Sequence, residues 1–540
     1  MVAVSMADGW ARATGNPQCV IVHVDVGTQA IGQAMHNANT GRVPVLIFAG
    51  LCPYTEEGFV GSRTEYQHWL QDAPDQKAIV GGYCRFTGDF RTARTVKQTV
   101  FRALQIASSD PKGPAYITGA REVLAEKIEQ PFTVQKKRHS AIGPAALPQD
   151  AVENIVEALV HANNPLIITG YSGRNHACPE QLVKLAEAIP GLCVLDTDCD
   201  VPWIPSRNPP REDAKIYYVD VDPLNSSIGF SFFTADGRWK ADSYTALTQL
   251  TNYLSLTPRL QEILSTETYK RRWEYLQKAY SAKKDALARL ATPPSDGALD
   301  IHHVGSAIKT AVPEETVFVV EAATCAMDLS DQLQVTMPGS WINSGGAGLG
   351  WSGEAALGVK LAHDAAGHNP PSFICQVVGD GCFLFSVPSS VYWIASRYGI
   401  PILTVVLNNR GWNAPRRSHE LVHPNSLGAA ATNRDMHISL DPAPDYGGIA
   451  KAVAGSSFGK TGEELFVGRA RKADELKSLL EQAVKAVKSG RGALVEVVLN
   501  VDEKVNIMGY LTMNTQVAED NGINCSCGRW PSFGSLNGED

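Results

Sequence analysis

The stretch GDGCFLFSVPSSVYWIASRYGIPILTVVLNNRGW, residues 379–412, decides how this chain is read. The residues leading into it, FICQVVG (373–379), form a continuous β-branched and apolar run, which suggests a strand buried on both faces, as in parallel sheets. The turn that follows lies at a strand's carboxyl end, where open α/β sheets bind their ligands. There Gly379 and Gly381 let backbone amides approach a phosphate, and Asp380 supplies a hard oxygen to a cation. Residues 386–398 are predicted to cross back as a helix, and PILTVVL (401–407) to return as a second strand that ends on Asn408 and Asn409. A small divalent cation such as Mg²⁺ takes octahedral oxygen ligands, few of them from protein when phosphate is present. Asp380, an Asn amide oxygen and a backbone carbonyl fit that need. A lone GDG turn would suit any parallel sheet, so the specificity comes from the Asn pair, with residues 382–407 as the spacer.

Composition sets the frame. With 540 residues, 44% hydrophobic and 19% charged, the chain can bury several cores, and its length suggests about three or four domains. A formal charge of −8 offers no basic field, so nucleic acid is not an expected partner. Apolar runs stop at about ten residues against the roughly 20 needed to span a bilayer, so no membrane partner is expected either. Eleven cysteines, an odd number scattered over a large chain, read as reduced intracellular thiols, cytoplasmic rather than mitochondrial. Only Cys525 and Cys527 stand close together, with no second ligand pair beside them to make a zinc site.

Three α/β blocks follow from the alternation of periods. The first opens with the amphipathic helix MADGWARATG closed by Gly15, then the strand CVIVHVDV, a helix from Thr28 and the strand VPVLIFAG. The second runs AVENIVEALVHA, PLIITG, EQLVKLAEAI, LCVLDT and AKIYYVDVD. The third contains the GDG segment and ends with ADELKSLLEQAVKAVKSG and GALVEVVLN. Strands alternating with helices predict doubly wound parallel sheets.

The order of these blocks resembles the thiamine-diphosphate-dependent superfamily of acetolactate synthase, pyruvate decarboxylase and benzoylformate decarboxylase, and looks closest to its acetolactate-synthase-like branch. GDG followed by NN at this spacing is similar to that family's signature. SMADGWARATG (5–15) is similar to its GMADGYARATG, and INSGGAGLGWSGEAALG (342–358) to its SGGxGxMG segment. The resemblance covers nearly the whole chain. It implies a pyrimidine-binding domain over 1–130, a central Rossmann-like domain over 148–260, a diphosphate-binding domain over 298–505 and a tail over 506–540. It implies thiamine diphosphate and Mg²⁺ as cofactors, with Asp380, Asn409 and the Gly411 carbonyl on the metal. Leu349 would wedge between the cofactor rings, or else be a core leucine. Thr324 would meet the diphosphate, or else cap a helix, while Gly379, Gly381, Cys382, Asn408 and Trp412 line the remainder. Assembly as a homodimer or homotetramer is also implied, because the family's cofactor lies between subunits.

The chain departs from the pattern twice. The family's activating glutamate would fall immediately before Met1, so a shortened N-terminus, a start at an internal Met, is expected. Residues 196–215, DTDCDVPWIPSRNPPREDAK, carry four prolines in a stretch too short for a βαβ crossover, which suggests an internal deletion at Thr197 and Asp198 and leaves FAD doubtful. The implied substrate is a small 2-oxo acid or aldehyde, handled by a carboligase or decarboxylase; a 2-hydroxyacyl or benzaldehyde-type lyase and a catalytically impaired cofactor-binding protein are the alternatives. His36 and Gln29 are the candidate catalytic side chains, with His68 behind them. Arg416 and Arg417, after the Asn pair, either meet a substrate carboxylate or are solvated.

Overall fold

A computed structural model describes residues 1–129, 133–196, 200–206 and 208–500. The expected tail 506–540, Cys525, Cys527 and the joint at Thr197 and Asp198 lie outside the described residues. The chain divides into two compact units, one built from Met1–Gly143 with the described part of Pro293–Val501, the other from Pro144–Thr292.

The first unit holds two parallel sheets. Strands β1 (Gln18–Val22), β2 (Val45–Leu51), β3 (Phe86–Phe90) and β4 (Ala115–Ala120) pair in the order β1-β2-β4-β3. The run CVIVHVDV is extended only as far as Val22, because β1 pairs on one side alone and Asp25, at φ 34°, turns the chain away. The opening helix forms as its pattern predicts: α1 (Val2–Thr14) ends where Gly15 adopts the left-handed conformation and its N–H closes on the Ala11 carbonyl. A second helix, α2 (Gly32–Thr40), follows β1.

The larger sheet has strands β9 (Val317–Glu321), β10 (Trp341–Asn343), β11 (Ile374–Gly379), β12 (Leu403–Asn408), β13 (Phe466–Ala470) and β14 (Ala493–Val498), all parallel, in the order β10-β9-β11-β12-β14-β13. β11 shows why its sequence is apolar throughout: Cys375 and Val377 enter one core and Ile374 and Val378 the other, all fully buried. Each such side chain contributes roughly 1.5–3 kcal/mol relative to exposure.

The two sheets meet through α1 and α3 (Ser352–Ala365), which cross with backbone against backbone. A Cβ on Gly9 would fall 2.2 Å from the Ala355 carbonyl oxygen, and one on Gly358 would fall 2.0 Å from that of Met6. Arg12, ion-paired to Asp8, extends the joint by donating to the carbonyls of Asn343 (2.8 Å) and Ser344 (2.7 Å) with its guanidinium over the Trp351 ring.

The second unit pairs β5 (Leu166–Thr169) with β6 (Cys193–Asp196), and β7 (Tyr217–Asp220) with β8 (Gly237–Lys240), as two separate parallel ribbons among the described residues. The proline-rich stretch between β6 and β7 withholds the N–H groups that would extend a ladder. Its helices, chiefly Gln149–His161, Cys178–Ala188, Ser243–Ser255 and the 24-residue Glu267–Leu290, bury a separate core around Val156, Leu185 and Leu254. Among the described residues no helix is long and apolar enough to cross a membrane, and the cysteines from Cys19 to Cys382 that are described are free thiols.

Gly9→Ala and Gly358→Ala should each destabilise the first unit by about 1–3 kcal/mol, because the obstructing atoms are backbone and the helices must separate. Chemical denaturation against Gly32→Ala, where no atom lies within 4 Å of the added Cβ, checks this; equal midpoints for all three variants would refute the tight crossing.

Candidate active site

β11 and β12 run side by side with Gly379 opposite Leu407, so the residues just beyond each strand, Asp380 and Asn409, emerge together. Asp380 starts α4 (Asp380–Phe385); its Oδ1 accepts from its neighbour Gly381 N–H at 2.7 Å and its Oδ2 from Gly411 N–H at 3.2 Å. Burial raises the Asp380 carboxyl to about 6, while the backbone N–H bonds pull the other way. The Asn409 side-chain amide completes the group: one of its terminal atoms stands 2.9 Å from the Gly411 carbonyl oxygen and 3.3 Å from Asp380 Oδ2. With nitrogen in that place the amide donates to both oxygens; with oxygen there, three oxygens from Asp380, Asn409 and Gly411 converge. The three predicted metal ligands are thus brought to one point.

That donor set, one carboxylate with an amide and a backbone carbonyl, suits a hard cation such as Mg²⁺ that keeps phosphate and water as its remaining ligands. Among the described residues no group of three or more His, Cys, Asp or Glu side chains is placed to hold a metal ion.

Other predicted residues fall around this point with differing parts. Gly381 has no room for a side chain, since an added Cβ would lie 2.2 Å from the Trp412 indole. Trp412 is fixed over it by its backbone N–H donating to the Ile438 carbonyl (2.8 Å) and by edge contact with Phe385, centroids 5.5 Å apart. Cys382 is buried, and burial pushes its thiol far up. The Asn408 side chain turns inward, donating to Glu496 Oε1 at 2.8 Å and accepting from Arg410 N–H at 3.0 Å, so it braces the turn in which Arg410 takes φ 63°. Thr324 sits in a short 3-10 turn just past β9, at the same carboxyl edge, and its carbonyl accepts from Arg417 Nη1 at 2.9 Å.

Leu349 lies in the Gly-rich loop ahead of α3 and packs against the core beneath the larger sheet. Its loop is tied to α2: Gln33 Nε2 donates to the Leu349 carbonyl (2.7 Å), and the Asn37 amide exchanges two hydrogen bonds with Gly348 (2.8 and 2.9 Å). His36, one position earlier on α2, accepts from Ala347 N–H through Nε2 at 3.3 Å, with its ring edge on Tyr83. Gln29 is not brought to that loop; it is exposed beyond β1 and donates to Asp25 Oδ1 at 3.0 Å. His68 accepts from Thr64 N–H at 3.2 Å and contacts Arg121. Arg416 is not solvated: its guanidinium is buried beside Glu420 and donates to the Ala431 carbonyl at 2.7 and 3.1 Å.

Two carboxylates escaped the sequence reading. Glu321, the last residue of β9, accepts from Gly350 N–H (2.7 Å) and Ser352 N–H (2.8 Å), holding the first turn of α3 and the loop before it, and burial raises its carboxyl. A glutamate closing the buried strand VFVVE was the available signal. Glu354 is buried within α3 with neither oxygen paired, and burial, reinforced by Glu321, holds its carboxyl well above the usual range.

The sign for Glu354 follows from linkage. A folded-state pKa raised above the unfolded value of about 4.3 gives stability that is complete below that pH and is lost as pH rises through the folded value. Glu354→Gln keeps the shape without the charge. It should therefore match the parent at low pH and exceed it by about 1–3 kcal/mol once the parent's carboxyl ionises. Superimposable stability–pH curves from urea titrations would contradict a buried, unpaired carboxyl.

Residues 321–497 match the family model for the thiamine pyrophosphate enzyme C-terminal TPP binding domain, and residues 1–79 the model for the N-terminal TPP binding domain. The chain is 23% identical to the acetolactate synthase large subunit of Haemophilus influenzae, over 94% of this chain and 87% of that protein. It is 24% identical to benzoylformate decarboxylase of Pseudomonas aeruginosa, over 76% and 78%. To human 2-hydroxyacyl-CoA lyase 2 it is 23% identical, over 76% and 72%. Its fold is similar to the thiamine diphosphate-dependent 4-hydroxybenzoylformate decarboxylase of Rhodococcus jostii RHA1, with a TM-score of 0.67, 18% identity and coverage of 93% and 91%. With both binding-domain models matched and the GDG and Asn segments joined at one strand edge, the chain belongs to the thiamine-pyrophosphate-dependent enzymes.

Proposed function

We propose that this enzyme uses thiamine diphosphate and Mg²⁺ to break or form a carbon–carbon bond beside the carbonyl of a 2-oxo acid, as an acetolactate-synthase-like carboligase or decarboxylase. The observation that carries the metal reading is the convergence of Asp380, Asn409 and the Gly411 carbonyl. Those three would hold the cation, and the Gly381 and Cys382 amides at the start of α4 would face the diphosphate. Thiamine diphosphate, when bound, supplies a thiazolium that accepts the electron pair released at the substrate carbonyl carbon.

The chain's own residues supply position and proton control. Glu321 and Asn37 fix the two ends of the loop that carries Leu349, so its side chain is presented from a rigid support. Trp412, packed over Gly381, leaves no room for a side chain beside the Asp380 group. Because His36 Nε2 accepts the Ala347 N–H, its neutral ring carries the proton on Nδ1, which leaves that atom as the donor. Whether the substrate carbon left electron-rich by CO₂ loss takes a proton or adds to a second carbonyl separates decarboxylase from carboligase. The lyase relatives support a reading in which the same bond is cleaved in a 2-hydroxyacyl substrate.

Assembly with a second copy belongs to the same proposal, supported by the exposed apolar side chains of Phe59, Val60, Tyr66 and Leu70 in the first domain. Sedimentation should give a dimer or tetramer; a monomer throughout would end that part.

Calorimetry should show thiamine diphosphate binding that requires Mg²⁺, with CO₂ release from pyruvate or benzoylformate in the same sample and acyloin product if the enzyme ligates. Asp380→Ala should lose Mg²⁺-dependent binding while keeping the fold by circular dichroism. Binding unchanged by that substitution would refute the metal assignment.

A further inference from the structure

The chain from Gly411 to Arg417 runs across the carboxyl end of β11. It leaves the sheet at β12, and three contacts in succession carry it over the GDG turn. Gly411 N–H donates to Asp380 Oδ2 (3.2 Å), the Trp412 indole closes over Gly381, and Arg417 Nη1 donates to the Thr324 carbonyl (2.9 Å). Thr324 follows β9, so in the sheet order β9-β11-β12 the GDG turn lies between the two ends of this span. Arg417, on the helix Asn413–Val422, is thereby held across the strand end that carries Asp380. The Cys325 thiol feels both charges: burial raises it, and among the smaller influences Arg417 lowers it while Asp380 raises it.

What Arg417 lacks is an anion. It is half-buried, its hydrogen bond goes to a neutral carbonyl, and among the described residues it forms no ion pair. Other arginines of this unit are matched: Arg12 to Asp8, Arg416 to Glu420 (3.4 Å) and Arg469 to Glu496 (2.6 Å). Burial raises the Asp328 carboxyl, and His302 and Arg417 oppose that rise, yet Asp328 and Arg417 are not paired. The turn that Arg417 grips is itself strained, with Ala323 at φ 44°, a left-handed conformation that alanine disfavours. A guanidinium with donors to spare is thus fixed to a strained turn at the ligand-binding edge of the sheet.

We propose that Arg417 is a binding residue for the cofactor's diphosphate, closing over the anion site that the GDG turn and the metal group open. The proposal rests on the thiamine diphosphate reading given above. A guanidinium is planar and presents paired N–H groups that match two oxygens of a phosphoryl group. A diphosphate ester carries more negative charge near neutral pH than one divalent cation neutralises, and Arg417 supplies a further positive charge on the side opposite the sheet.

The test is calorimetric binding to the full-length chain with Mg²⁺, first of thiamine diphosphate and then of inorganic pyrophosphate, which has the anion without the rings. Neither readout depends on turnover. Arg417→Met, which keeps much of the length without the charge, should weaken both ligands by about 10–100-fold. Arg417→Lys should recover part of the loss, whereas Arg417→Gln, a neutral donor, should recover none. Recovery by Gln as full as by Lys would make Arg417 a strut for the Thr324 turn and overturn the proposal. Parent-like binding of pyrophosphate by Arg417→Met would overturn it as well. So would a raised KM for the 2-oxo acid beside unchanged cofactor binding, which would assign Arg417 to the substrate carboxylate. If the Met variant fails to fold by circular dichroism, the Lys and Gln variants carry the comparison. A parent chain that binds neither ligand would overturn the thiamine diphosphate reading and the proposal together, a result distinct from binding by the parent that no Arg417 variant diminishes.

Discussion

Everything chemical in this protein depends on six strands running the same way. Parallel pairing of β11 with β12 sets Gly379 opposite Leu407, and only in that register do Asp380 and Asn409 leave the sheet at the same height. β9, paired on the other side of β11, ends one residue from the same edge and delivers Glu321 and Thr324 there. A shift of one residue would turn alternate side chains to the opposite face and separate the group. The two cores on either side of the sheet, one around Cys375 and Val377 and the other around Ile374 and Val378, forbid that shift.

Around this edge the structure assigns labour by burial. Asp380 and Asn409 meet each other, whereas Asn408, one residue earlier, is drawn inward to Glu496, which also holds Arg469. Glu321 binds backbone N–H groups at the start of α3. None of these carboxylates is interchangeable with the others, since each is bound to a different set of donors.

Much of this was legible in the sequence where the signal is local. The strands at β11 and β12 are continuous apolar runs because both faces are covered, and the end of α1 is written in Gly15. The GDG turn and the Asn pair are brought together because their spacing equals one strand–helix–strand crossover. Legibility failed where a residue's part depends on what folds over it. Arg416 reads as a charge, and only the loop carrying Ala431 makes it a buried structural donor. His36 and Gln29 are seven residues apart, yet the turn at Asp25 and the following helix send one to the Ala347 loop and the other to the surface.

The crossing of α1 with α3 also limits how the sequence can vary. At most crowded glycines the obstacle is a side chain, as at Gly237 beneath Trp239, so a substitution can be absorbed by a smaller neighbour. At Gly9 and Gly358 the obstacle is a carbonyl of the opposing helix, which every amino acid carries. A smaller side chain on the facing helix therefore cannot make room at either position. They are fixed points around which the two domains can diverge only by keeping the same distance between their backbones.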